Sequence, residues 1–295
     1  GYRNEQVVIS ASGEELLFTG RNGLRSSFLL QMASGMTRTT LPEYGVRRCH
    51  PAVCHMGACT VLAGGVNTIR GRAVAAVEMF NPANNKWSRL PDMPRGAAGA
   101  VAGVIGDTVY VAGGYWNGES MRFLQVYDTG SGIWKLGPEI TESLVWSDSS
   151  GLVIDNLFFI VGRSADTGRL VCYSYNPNSI EWKSSAFVGL DIDSAKEELD
   201  GRVYAIKHEG SLLILCPDTN HPWYPGVKLE ANGVWSKVSL WHFPGFPDSS
   251  ASTRQVCSIV FPEYKTRLLS CRPMAKTPGI TSSGWSPVPP KYTKR

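Results

Sequence analysis

Three cysteines and two histidines fall within eleven residues of the stretch RRCHPAVCHMGACT, residues 47–60: Cys49, His50, Cys54, His55 and Cys59. Thiolate and imidazole are the donors a zinc ion takes, so the first chemistry to weigh is a metal centre. A structural zinc needs four ligands converging at about 2.0–2.3 Å, commonly from paired cysteines two to four residues apart on turns. Here the cysteines are five residues apart. In an extended chain, successive side chains face opposite sides, so these steps alternate from face to face and Cys54 and His55 diverge. The spacing favours small buried cysteines, with no metal and no cofactor, over a metal or redox site.

Other groups able to do chemistry are dispersed. Five histidines occur: His50, His55, His208, His221 and His242. The paired carboxylates of DID (Asp191, Asp193) and KEELD (Lys196 to Asp200) sit in polar stretches that read as loops. The sequence contains no phosphate loop, dinucleotide fingerprint, nucleophile elbow or HExxH motif. The glycines of AGGVNTIRGR follow an apolar run without opening a helix, so they do not cradle a phosphate. The expectation is that the chain is not an enzyme.

What positions these residues is an internal repeat. A shift of 49 lays HPAVCHMGACTVLAGG (50–65) on GAVAGVIGDTVYVAGG (99–114), so Cys54 takes the place of Gly103 and Cys59 that of Thr108. Gly64-Gly65, Gly113-Gly114 and the relic Gly162-Arg163 recur every 49 residues. An aromatic followed seven residues later by Trp recurs as Phe80 and Trp87, Tyr127 and Trp134, Tyr175 and Trp182, the Trp residues 47 and 48 apart. Two landmarks keep one period. Each unit reads as four short apolar strands broken by turn residues such as Met56-Gly57 and Gly106-Asp107. A four-stranded unit of this size cannot cover both of its faces, so the units stack on one another, and stacking about an axis makes a propeller. A buried Trp in each unit is expected to contribute about 1.5–3 kcal/mol at the interface.

The Gly pair, the aromatic and Trp, and the segment LPDMPRG (Leu90 to Gly96) resemble the Kelch-repeat family over about residues 50–185. Relics extend the pattern: ELLFTGR (Glu15 to Arg21) upstream, GRVYAIKH (Gly201 to His208) with Trp235, and TRLLSC (Thr266 to Cys271) with Trp285 downstream. The expected fold is all-β, a single six-bladed Kelch-type propeller of four-stranded antiparallel blades. Its blades are placed at about 1–46, 47–95, 96–145, 146–192, 193–248 and 249–295, the last of them irregular.

Composition agrees with a turn-rich globular chain. Glycine is 31 of 295 residues and charged residues only 18%, against a usual quarter charged. The net charge of +4 is scattered apart from Arg47-Arg48 and the KYTKR tail, which is not the basic stripe of a nucleic-acid binder. No apolar run approaches the ~20 residues of a membrane helix. Neither a nucleic acid nor a membrane is expected as partner. The odd count of seven cysteines, with no Asn-x-Ser/Thr sequon, points to an intracellular, reducing compartment, cytoplasmic or nuclear.

The loops after the Gly pairs and between blades carry the residue types that anchor interfaces. They offer Arg70 and Arg72; Tyr115, Trp116, Asn117 and Arg122; Arg169; and, between blades, Arg47, Arg48, Arg95, Trp146 and Asp148. These are expected to bind a protein partner, an acidic peptide segment in particular. The resemblance to Kelch proteins implies a protein-interaction module, as in substrate receptors of ubiquitin ligases, whose F-box or BTB domain would precede Gly1. The alternatives are a scaffold subunit of a large assembly, docking through Trp223, Tyr224, Trp241, Phe243 and Phe246, or a propeller enzyme such as a sugar mutarotase or an oxidase.

Overall fold

A computed structural model of the chain describes residues 6–9, 15–19, 25–31, 37–145, 149–185, 203–208, 210–215, 225–229, 233–239, 256–259 and 267–270. Among these residues every regular element is a β-strand. Five antiparallel sheets of four strands follow one another, each in consecutive strand order. The first holds Gln6–Ile9, Glu15–Thr19, Ser27–Gln31 and Thr37–Leu41. The second holds Ala52–Met56, Cys59–Ala63, Val77–Asn81 and Lys86–Leu90, and the third Val101–Ile105, Thr108–Ala112, Leu124–Asp128 and Ile133–Leu136. The fourth holds Ser150–Ile154, Leu157–Arg163, Leu170–Asn176 and Glu181–Ser185, and the fifth Tyr204–His208, Ser211–Leu215, Pro225–Leu229 and Trp235–Ser239. A two-stranded pair, Val256–Ile259 with Arg267–Ser270, comes last.

The sheets are blades because both of their faces are buried. Along Thr108–Ala112, Val109 and Val111 enter a cluster with Ala52, Val61 and Val77 of the second sheet. The intervening Tyr110 and Ala112 enter another cluster with Phe158 and Ile160 of the fourth. Along Leu157–Arg163 the same alternation sends Phe158 and Ile160 back to the third sheet and Phe159 and Val161 forward to Leu212, Ile214 and Trp235 of the fifth. A strand's period of two thus feeds two cores at once, each buried apolar side chain contributing about 1.5–3 kcal/mol. The first strands of successive sheets pack on one another, which places them innermost, around the propeller axis.

Crowding near that axis selects small residues. A Cβ on Gly103 would lie 2.8 Å from side-chain atoms of Phe158 and Val153, and one on Gly151 would lie 2.8 Å from the Cβ of Val101. Cys54, at the position equivalent to Gly103, is buried in the cluster between the second and third sheets. A small apolar side chain suits that place.

Trp235 is buried, whereas Trp87, Trp134 and Trp182 are half-exposed. These three have a second role. Each stacks on the aromatic opposite it, with ring centroids 5.2, 5.1 and 5.1 Å apart. The indole N–H of each then donates, at 2.9 Å, to a proline carbonyl that follows the last strand of the preceding sheet: Pro42, Pro91 and Pro138. An indole offers an apolar body and one donor, and here the donor latches one blade to the next.

Candidate functional site

In a four-stranded antiparallel blade the loop between strands two and three and the connection to the next blade leave from the same end. Three isolated bridges make that juxtaposition explicit: Cys49 with Val66, Ala98 with Tyr115, and Leu144 with Ser164. At the Gly pairs the backbone turns with positive φ, 68° and 100° at Gly64 and Gly65, 67° and 90° at Gly113 and Gly114. The amide of Gly65 donates to the carbonyl of Ala97 at 2.6 Å, and a Cβ on Gly114 would lie 2.9 Å from that of Ala98. Glycine is required because backbone meets backbone at this rim.

The rim loops are held by their own hydrogen bonds. The Asn67 side-chain oxygen accepts from the amides of Ile69 and Arg70, both at 3.0 Å. Tyr115–Trp116 pairs with Glu119–Ser120 through a tight turn in which Asn117 and Gly118 both have positive φ, 50° and 98°, as an Asn-Gly hairpin prefers. The Ser164 hydroxyl accepts from the amides of Asp166 and Thr167 at 3.3 and 3.2 Å. Preformed loops lose little entropy when a partner binds.

The residues expected at the rim divide into groups. Arg95 and Trp116 are brought together: the Arg95 guanidinium lies 5.1 Å from the Trp116 ring centroid and 4.9 Å from that of Phe123. Tyr115 is half-buried beside them, and Asn117 is exposed at the hairpin tip. Arg122 is exposed and paired with Glu139 at 3.0 Å. Arg72 and Arg169 are exposed on their loops, and Arg47 and Arg70 line a common cleft. Trp146 and Asp148 lie outside the described residues, as do Trp223, Tyr224, Trp241, Phe243 and Phe246.

Arg48 has a different task. Fully buried, it donates to the carbonyls of Gly64 and Ala76 at 2.9 and 2.7 Å and pairs with the Glu78 carboxylate. Burial lowers its pKa from the ordinary value and Glu78 opposes the shift. Glu78 also accepts from the amide of Gly45 at 2.5 Å and that of Val46 at 3.4 Å. Arg48 therefore presents no surface to a partner; it ties the incoming connection to its sheet.

That tie recurs, and sequence reasoning missed it. In the third sheet Gln125 accepts from the Arg95 amide at 2.9 Å. In the fourth, the Tyr173 hydroxyl bonds Thr141 and Glu142 at 2.8 and 3.1 Å. Glu78, Gln125 and Tyr173 are spaced by the repeat period, each a polar group among apolar strand residues. That pattern was the available signal. The prolines that receive the Trp latch likewise stand in LPEY, LPDM and GPEI.

Cys49, Cys54 and Cys172 are buried thiols. Burial raises the Cys49 pKa and pushes those of Cys54 and Cys172 up to about 12, which keeps them protonated and poor nucleophiles. Cys49, Cys54, Cys59 and Cys172 are free. Among the described residues no three His, Cys, Asp or Glu side chains converge as metal ligands.

Residues 47–94 and 96–140 match the Kelch motif. Human Kelch-like protein 23 is 25% identical over 197 residues, 63% of this chain and 33% of that protein. A putative F-box/kelch-repeat protein of Arabidopsis thaliana is 29% identical over 173 residues, 58% of this chain and 42% of its own length. The chain thus spans less than half the length of these relatives. The solved structure of YjhT superimposes with a TM-score of 0.56 at 13% identity, over 80% of this chain and 97% of that one. At that identity the likeness is one of fold.

Proposed function

We propose that the chain, which matches the Kelch motif over residues 47–94 and 96–140, is a non-catalytic protein-recognition module of the Kelch-repeat kind. Six blades form the ring, and the rim of Gly-pair loops and inter-blade connections binds a partner protein, as a ubiquitin-ligase substrate receptor binds its substrate. The name of the Arabidopsis relative, which joins an F-box to kelch repeats, supports the ligase setting. The last strand pair, beginning 52 residues after the fifth sheet's first strand, supports a sixth blade. Free thiols at Cys49, Cys54, Cys59 and Cys172 support an intracellular site of action.

The observation that carries the reading is the stack of Arg95 on Trp116 and Phe123 at the rim. Arg and Trp are the commonest interface anchors, and a guanidinium resting on rings keeps its edge free to fork onto a carboxylate. The test is affinity capture from cells by the full chain, compared with Arg95→Ala and Trp116→Ala chains of unchanged unfolding midpoint. A defined partner retained by the wild type and lost by both variants supports the reading; equal capture by all three overturns it.

A further inference from the structure

The connection from the first sheet to the second, the loop 66–73 and the outer edge of the second sheet border an open cleft of about 660 Å3. Four arginines line it: Arg25, Arg47, Arg70 and Arg89. Two are already matched, Arg25 with Glu43 at 2.5 Å and Arg89 with Asp92 at 2.6 Å. Arg47 and Arg70 are exposed and make no ion pair among the described residues, so the cleft holds two uncompensated positive charges. Arg89 lies on the outermost strand of its sheet, which sets the cleft away from the propeller axis and from the Arg95 stack.

The site is also shaped. Asn67 accepts from the Ile69 and Arg70 amides and the Gly71 amide closes onto the Asn67 carbonyl at 2.8 Å, so the loop that carries Arg70 is preformed. Val74, Ala75 and Ala76 give the cleft an apolar lining. Ile69, 77% exposed, stands in the same lining. Charges on separate elements suit two separated carboxylates better than one compact anion, since each guanidinium forks onto one carboxylate.

We propose that this cleft is an acidic-peptide subsite. It takes the carboxylates of two acidic residues of an extended partner segment on Arg47 and Arg70, with an apolar residue between them laid against Ile69 and Val74. The proposal rests on the protein-recognition reading above and places part of that recognition off the axis.

The test uses the full chain and a fluorescein-labelled pentapeptide, glycine–aspartate–leucine–glutamate–glycine, read by fluorescence anisotropy. Saturable binding is expected, weakening as salt is raised, at least tenfold weaker in Arg70→Ala and abolished in the Arg47→Ala/Arg70→Ala pair. It should be unchanged in Lys183→Ala, an exposed cation of the fourth sheet outside the cleft. The peptide with asparagine and glutamine in place of its acids should not bind. Absence of binding, equal binding by the amide peptide, preference for a phosphoserine peptide, or indifference to the Arg47 and Arg70 substitutions would each overturn the proposal. Because the readout is a synthetic peptide and the altered residues lie outside the Arg95 stack, such a result leaves the partner-capture test standing on its own.

Discussion

The second and third sheets share a period, a Gly pair, a Trp latch and a tied connection, yet fill equivalent positions with different chemistry. Where the second sheet buries the Arg48–Glu78 ion pair, the third buries the neutral Gln125, which holds the Arg95 amide. Where the second has Cys54 near the axis, the third has Gly103 against Phe158. Where the second has His50 at φ 52°, the third has Gly99 at φ 63°. The repeat therefore preserves the function of a position, whether anchor, filler or turn, and leaves its residue type to the neighbouring blade.

The difference has energetic consequences that measurement can break or sharpen. The largest effect is expected from Arg48→Ala, which strands the Glu78 carboxylate in the interior and should cost about 3–5 kcal/mol in urea unfolding. Combining Arg48→Met with Glu78→Gln should recover most of it, since the neutral amide then resembles the arrangement of the third sheet. Alkaline pH comes next. The Cys54 thiol has a folded pKa of about 12 against an unfolded value near 8.5, so the folded chain holds the proton more tightly. Its contribution is fully present below about pH 8.5 and is lost as pH rises toward 12, at roughly 1.4 kcal/mol per pH unit. By pH 10 that is about 2 kcal/mol, and Cys54→Ala should shed its share of the slope, while the buried Cys172 retains its own.

Smaller costs test the third sheet. Gln125→Leu leaves the Arg95 amide without its acceptor and should cost about 1–3 kcal/mol, less than the loss of Arg48; equal costs would erase the distinction between the charged and the neutral tie. Gly103→Cys, which copies the second sheet's filler, should cost about 1–3 kcal/mol by overpacking against Phe158 and Val153. The smallest effect has the opposite sign. Asn85, Gly132 and Ile180 occupy the same turn position, at φ 52°, 68° and 58°, and only Ile180 is β-branched there. Ile180→Gly should stabilise the chain by about 1 kcal/mol, the released strain exceeding the added backbone entropy, read as a raised unfolding midpoint.

Much of the fold was legible from the second to the fourth sheet because strand alternation, Gly pairs and Trp residues are local or periodic signals. The burial of Cys54 was legible, since a shift by one repeat placed the strand residue Gly103 there. Arg48 was not legible. Next to Arg47 in sequence and identical in type, it differs only in facing Glu78, thirty residues away, instead of solvent. The Trp latch was half legible: the ring was expected at the interface, but its acceptor is a backbone carbonyl, which leaves no mark in residue type.

Period, strand pattern and small inner residues are consequences of the chain's own covalent order, because side-chain alternation and the glycine requirement at positive φ act between near neighbours. Which arginine is enclosed, which stacks on Trp116 and which lines a cleft was settled only when blades closed on one another. Burial and ion pairing depend on groups that the chain brings together from dozens of residues apart, and no local pattern encodes that distance.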